Sequence, residues 1–167
     1  MKRILSLLAC GVTSLTAVGA AADTTTPDRV FGHWVMHCIE MSNSMKACAL
    51  HQRLHSEKTK APVASFAIAD DEKGAAHRLT AIMPLGIDIP AGVTGALAGR
   101  PALAYQIQTC LPRGCIASVG LTAEDLAALE AARDFTTSFR MRGVADPVTV
   151  TVSLKGVTEG LKALAAE

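Results

Sequence analysis

The stretch Phe135-Thr136-Thr137-Ser138-Phe139-Arg140-Met141, followed after a turn by Val148-Thr149-Val150-Thr151-Val152-Ser153-Leu154-Lys155, decides the fold class. In the first segment Phe135, Thr137, Phe139 and Met141 share one parity, and Thr136, Ser138, Arg140 and Arg142 share the other. In the second, Val148, Val150, Val152 and Leu154 alternate with Thr149, Thr151, Ser153 and Lys155. Successive side chains of an extended strand point to opposite sides of a sheet. A period of two with apolar residues on one parity therefore describes a strand with one buried and one wet face.

The same alternation extends upstream. Leu103, Tyr105 and Ile107 alternate with Gln106 and Gln108; Leu79, Ala81 and Met83 form a weaker strand, as do Ala64, Phe66 and Ile68. Trp34, Met36 and Cys38 share a face, as do Cys48, Leu50 and Leu54, and Gly114 to Leu121 is a further apolar run. Gly86 to Gly99, with Pro84 before it and Pro90 inside it, reads as a loop with a short strand. Two segments have helical character. Thr122 can cap a helix from Ala123 to Ala132, with Glu124 and Asp125 placed against its dipole and Leu126 and Leu129 turned inward. Val157, Leu161 and Leu164 have helical spacing up to Ala166, weakened by Gly160. About eight short strands with two helices describe an all-β, mainly antiparallel sandwich or barrel.

The chain has 167 residues, one domain's worth, of which 50% are hydrophobic and 19% charged, so it is globular. Met1-Lys2-Arg3 is a positive start, Ile4 to Ala22 carries no charge, and Ala20-Ala21-Ala22 precedes Asp23. This is the pattern of a secretory leader over 1–22 with cleavage after Ala22, which places the mature chain in the periplasm or outside the cell. The alternative is a lipoprotein, with Leu7-Leu8-Ala9-Cys10 as its lipobox, but the apolar core before Cys10 is short for a leader. Residues 23–30 read as a flexible lead-in, leaving 31–167 as a single domain. Removing Lys2 and Arg3 from 16 basic residues leaves 14 against 15 acidic ones. A mature charge near −1 excludes a nucleic-acid binder dependent on a basic surface, and no segment of the mature chain has the length of a membrane span.

Four cysteines follow the leader: Cys38, Cys48, Cys110 and Cys115. An even count in an exported chain reads as two disulfides, of which three pairings are possible; Cys38–Cys48 and Cys110–Cys115 are the simplest. A four-thiolate zinc site requires a tighter spacing than these cysteines have.

Motifs with a catalytic mechanism are absent: there is no G-x-S-x-G, G-x-x-x-x-G-K or strand-linked G-x-G-x-x-G, and His51-Gln52-Arg53-Leu54-His55 lacks the glutamate of a zincin helix. The reading is non-enzymatic and cofactor-free. The acidic run at 69–74 reads as a solvated hairpin tip. The histidines define an alternative. If 31–38 and 48–55 form a hairpin with Cys38 opposite Cys48, then Val35 faces His51 and His37 faces Ala49, and His33, His37, His51 and His55 share one face. Such a face could bind zinc or copper, with Met41 and Met45 in the loop suited to copper(I). Trp34 shares parity with Cys38 and is expected in the core beside the bridge.

Phe31-Gly32-x-Trp34, Cys38, Cys48-x-x-x-Gln52, Pro84-Leu85-Gly86-Ile87, Pro90-x-Gly92-Val93, Cys110-x-Pro112-x-Gly114-Cys115-x-Ala117 and Ser153-Leu154-Lys155-Gly156 occur in this order. The series resembles the invasion-associated locus B family of exported alphaproteobacterial proteins, over about 31–164. The resemblance implies an immunoglobulin-like β-sandwich in the periplasm or envelope. The family is named for a contribution to host-cell invasion, so the resemblance implies an unidentified protein or envelope component as partner. It carries over no catalytic residue. The chain departs from the family at Ala96-Leu97-Ala98 and at Val157. A Cys110–Cys115 bridge would staple a hairpin tip and fix Arg113 on a rigid exposed loop, where binding is commonly found. Arg113 is therefore the candidate contact residue.

Overall fold

The computed structural model describes residues 28–40, 46–70 and 77–167. The leader 1–22 with Cys10, the start of the lead-in, Met41, Met45 and residues 71–74 of the acidic hairpin tip lie outside the described residues. Among the described residues, ten strands form one continuous antiparallel sheet. They are β1 (Arg29–Phe31), β2 (Trp34–Glu40), β3 (Lys46–His55), β4 (Pro62–Asp70), β5 (His77–Met83), β6 (Val93–Ala96), β7 (Leu103–Leu111), β8 (Gly114–Leu121), β9 (Asp134–Arg140) and β10 (Pro147–Ser153). Helices α1 (Ala123–Ala131) and α2 (Val157–Leu164) complete the fold. The sheet order is β1-β2-β3-β4-β5-β8-β7-β6-β9-β10. Of these strands, β1 was not expected: it begins at Arg29 and pairs Val30 with Val35, inside the segment read as lead-in.

The sheet folds over on itself. Strand β7 makes the turn: Leu103 and Tyr105 pair with β6, whereas Gln106 to Leu111 pair with β8 past an irregularity between Ile107 and Thr109. The faces so brought together bury Trp34, Met36, Leu50, Phe66, Ile68, Leu79 and Met83 from one half, and Phe135, Phe139, Val150 and Val152 from the other. Phe66 and Phe135 meet edge to face, with centroids 5.6 Å apart. The mainly antiparallel all-β architecture with two short helices is thus the one read from the alternating segments. In β9 and β10 the register sets Val148 opposite Phe139, Val150 opposite Thr137 and Val152 opposite Phe135, all on the predicted inner parity.

One inner residue of β9 is polar. Thr137 is fully buried, and its hydroxyl lies 3.4 Å from the Tyr105 hydroxyl. Burial pushes the Tyr105 phenol up to about 12, against a weaker opposing effect of the Thr137 hydrogen bond.

Helix α1 begins as its sequence directs. The Thr122 hydroxyl accepts from the Asp125 backbone N–H at 3.2 Å, and an Asp125 carboxylate oxygen accepts from the Thr122 N–H at 3.0 Å. Leu129 is fully buried and Leu126 packs partly against the core. Helix α2 buries Val157, Leu161 and Leu164 and lies against β1, β2 and β3. Gly160 has a reason to be there: a Cβ at this position would stand 2.8 Å from both δ-methyls of Leu50. The residue that weakens the helix in isolation is what lets it approach the sheet.

Candidate functional site

The Cys110–Cys115 hairpin builds the candidate site. Leu111 pairs with Gly114, Cys110 pairs with Cys115, and the two cysteines are disulfide-bonded, so Pro112-Arg113 forms a two-residue turn on a closed staple. Gly114 has φ +140°, and a Cβ there would strike the Met83 carbonyl oxygen; the tip therefore sits directly on the end of β5. Register agrees, pairing Met83 with Cys115. Arg113 is exposed at the apex.

The chain leaving β5 extends this surface. Ile87 is buried and bridges to Met141. The Asp88 N–H donates to the Arg140 carbonyl at 2.7 Å, and the Arg142 N–H to the Gly86 carbonyl at 2.8 Å. These bonds hold the loop 84–92 against the turn after β9. Leu85, Ile89, Leu111 and Val144, on the tip and the two segments tied to it, are each about half exposed (51%, 54%, 50% and 50%). Arg113, Arg140 and Arg142 are exposed on these same segments, with Asp88 as the half-buried acid of the loop. Apolar side chains interleaved with arginines on rigid loops are suited to contact with another macromolecule. Sequence reasoning singled out Arg113 and not the exposed apolar residues Leu85, Ile89, Leu111 and Val144. Leu85 had a signal, since it lies within the quoted Pro84-Leu85-Gly86-Ile87 segment, whereas Ile89 and Val144 lie on two segments that only the loop bonds tie together.

The histidine hairpin has the expected register, with Val35 opposite His51, His37 opposite Ala49, and Cys38 opposite and disulfide-bonded to Cys48. His33, His51 and His55 are exposed and His37 half-buried, on the face opposite fully buried Trp34 and Leu50. His37 is occupied by Asp28, whose carboxylate lies 2.6 Å from its Nδ1. Partial desolvation of its ring on this exposed face lowers the His51 pKa, assisted by the charges of His37 and Arg53 and opposed by Asp28. The structure does not gather the histidines into one ligand set. Among the described residues the only three potential ligand atoms within 4.8 Å of one another belong to Cys38, Cys48 and Glu167, and both sulfurs are in the disulfide.

Several of the quoted short motifs meet elsewhere, in the core. The Trp34 Nε1–H and the Gln52 side-chain amide both donate to the Ser153 carbonyl, at 3.0 and 2.9 Å. The His33 N–H donates to the Lys155 carbonyl at 3.0 Å. This constellation is a structural clasp that joins β2 and β3 to the end of β10. It accounts physically for Trp34, Gln52 and the Ser153–Gly156 segment without assigning them a ligand.

Comparison with known proteins agrees with the geometry. Residues 34–165 match the family described as "Invasion associated locus B (IalB) protein". Two invasion protein B homologues of Brucella abortus, from strain 2308 and from biovar 1 strain 9-941, are each 25% identical over 157 residues, spanning 93% of this chain and 90% of the relative. The crystal structure of invasion associated protein B from Bartonella henselae superposes with a TM-score of 0.76 at 22% identity, covering 84% of this chain and 96% of that one. The chain belongs to the invasion associated locus B family.

Proposed function

We propose that this chain is an exported, non-enzymatic binding module that contacts a protein or envelope component through the stapled hairpin tip. Arg113 supplies the charge, and Leu111, Leu85, Ile89 and Val144 supply the apolar contact area. The observation that carries this reading is the tip itself: an exposed arginine in the two-residue turn of a disulfide-closed hairpin, seated on β5 by Gly114. A rigid tip keeps the entropic cost of binding low, so a small surface suffices for recognition. Export rests on the leader pattern of residues 1–22, with cleavage after Ala22, and two disulfides accord with an oxidising compartment. The relatives' names tie them to invasion, and a role at the boundary between envelope and host cell is the corresponding assignment for this chain.

The test is quantitative capture from envelope extract and from host-cell membranes, with wild-type chain and Arg113→Glu side by side. Arg113 is exposed, so the substitution leaves the fold intact; recovery of a defined partner falls by about tenfold or more. Equal recovery by both proteins removes the tip from the account.

A further inference from the structure

Strand β4 is apolar on both sides. Its even positions Ala64, Phe66 and Ile68 are buried in the core. Its odd positions Val63, Ser65, Ala67 and Ala69 point away from the core and include one polar residue, a serine. An alternating apolar and polar pattern belongs to a strand with one wet face, whereas apolar residues on both parities belong to a strand covered twice. The outward positions of β9 and β10 follow the wet pattern, with Thr136, Ser138, Thr149 and Thr151. Helix α2 does not supply the second cover for β4. Its Gly160 meets Leu50, which is on the core side.

Register shows what borders this outward face. Arg53 of β3 stands beside Ser65, and Ile82 of β5 stands on the other side of the same serine. His51 and Thr80 flank Ala67, and Arg78 stands beside Ala69. Two arginines therefore lie at diagonal corners of a floor of small side chains, about 17 Å apart along the backbone grid. Both are exposed, and neither forms an ion pair among the described residues. Among the described residues, the outward positions of β2, β3, β4, β5 and β8 hold no Asp or Glu. Glu40 and Asp70, at strand ends, fall on the other parity, and Asp28 is bonded to His37.

We propose that the outward face of β3, β4 and β5 is a second docking surface, separate from the hairpin tip, and that its occupant is an acidic patch of another protein. The alanine floor supplies close apolar contact, and Arg53 and Arg78 each take a carboxylate of the partner at the border. An apolar centre with a charged rim is the anatomy of a protein interface. Unpaired arginines on a face without acids set the sign of the partner's charge. A second copy presents the same cations and no acid, so it does not match. A bilayer calls for protruding apolar side chains, and this floor is made of half-buried alanines. A neutral glycan calls for an aromatic platform, and the outward positions of these three strands hold none.

Site-specific photo-cross-linking of the full chain in the native cell tests the proposal. One photoreactive residue replaces Ala67, and in a second variant it replaces Thr80 in the same row; circular dichroism confirms that both variants fold. Each position gives an adduct that mass spectrometry maps to an Asp- and Glu-rich segment of another protein. Arg53→Glu/Arg78→Glu lowers the adduct yield by at least about tenfold, and Arg53→Lys/Arg78→Lys retains much of it. No adduct from either folded variant overturns the proposal, as does an adduct to a second copy, a lipid, a glycan or a basic segment. So does an adduct that survives the double charge reversal. A cross-link from the tip with none from positions 67 and 80 leaves the tip reading standing and ends this one.

Discussion

Gly32 and Gly156 lie backbone against backbone. A Cβ on Gly32 would strike the Lys155 carbonyl oxygen, and one on Gly156 would strike the Phe31 carbonyl oxygen. Both residues also have positive φ, +57° and +90°. The β1–β2 turn and the start of α2 approach this closely because neither glycine has a side chain, and the clasp of Trp34, Gln52 and Ser153 lies beside them. Gly156→Ala adds left-handed strain to a steric clash and is expected to cost about 2–4 kcal/mol, read as a lower urea midpoint. Gly143→Ala also has positive φ but meets nothing within 4 Å, so it reports the strain alone and costs about 1–2 kcal/mol.

Asp125 serves two partners at once. One carboxylate oxygen completes the Thr122 capping box, and the other accepts from Arg100 Nε at 2.9 Å. Burial alone would raise its pKa. The Thr122 backbone N–H, the Arg100 guanidinium and the Thr122 hydroxyl outweigh burial and hold the carboxyl below its ordinary 3.8. A depressed acid stabilises the fold above its unfolded value, and this stability is lost as the pH falls through the lower folded value. Asp125→Asn is expected to cost about 2–3 kcal/mol at pH 7 and to flatten the denaturation midpoint between pH 5 and 2. Urea titrations across that pH range check it.

His51 is shifted in the same sense, in a higher pH range. Burial, then His37 and Arg53, lower its pKa from 6.5, so protonation favours the unfolded chain. Its effect is to reduce stability as the pH falls below 6.5, levelling off once the pH passes below the folded value. Imidazole NMR should give a midpoint below 6.5 for His51. His37→Ala should raise that midpoint without restoring the ordinary value, because burial remains.

The two disulfides close loops of different size, with sequence separations of 10 and 5. On the chain-entropy account, Cys38→Ser/Cys48→Ser costs about 3 kcal/mol and Cys110→Ser/Cys115→Ser about 2 kcal/mol. The second pair has a further consequence. It frees the Arg113 tip, so partner capture weakens by more than the stability loss explains. Capture measured well below each variant's melting temperature separates the two effects.

Much of the strand content was legible because burial imposes a two-residue period, as in Phe135–Met141 and Val148–Leu154. The histidine-hairpin register followed from placing Cys38 opposite Cys48, and Thr122 marked its helix by capping chemistry. What stayed hidden depends on contacts between distant segments. Strand β1 has three residues, too few to show a period. Gly160 looked like a defect until Leu50 was found beneath it. Asp125 was read as a helix-dipole partner, but its pairing with Arg100 links two segments that no local pattern connects. The candidate surface divides in the same way. Arg113 was singled out from its place between two cysteines, whereas the tie between loop 84–92 and Arg140 and Arg142 rests on backbone bonds that no local pattern shows.

The central claim is that the stapled tip is the contact surface, and site-specific photo-cross-linking in the native cell tests it most directly. One photoreactive residue replaces Leu111 beside Arg113; a control replaces exposed Glu130 on α1, which follows the other end of β8. The account predicts a defined adduct from position 111, lost on Arg113→Glu, and none from position 130. An adduct from position 130 with none from position 111 would contradict it.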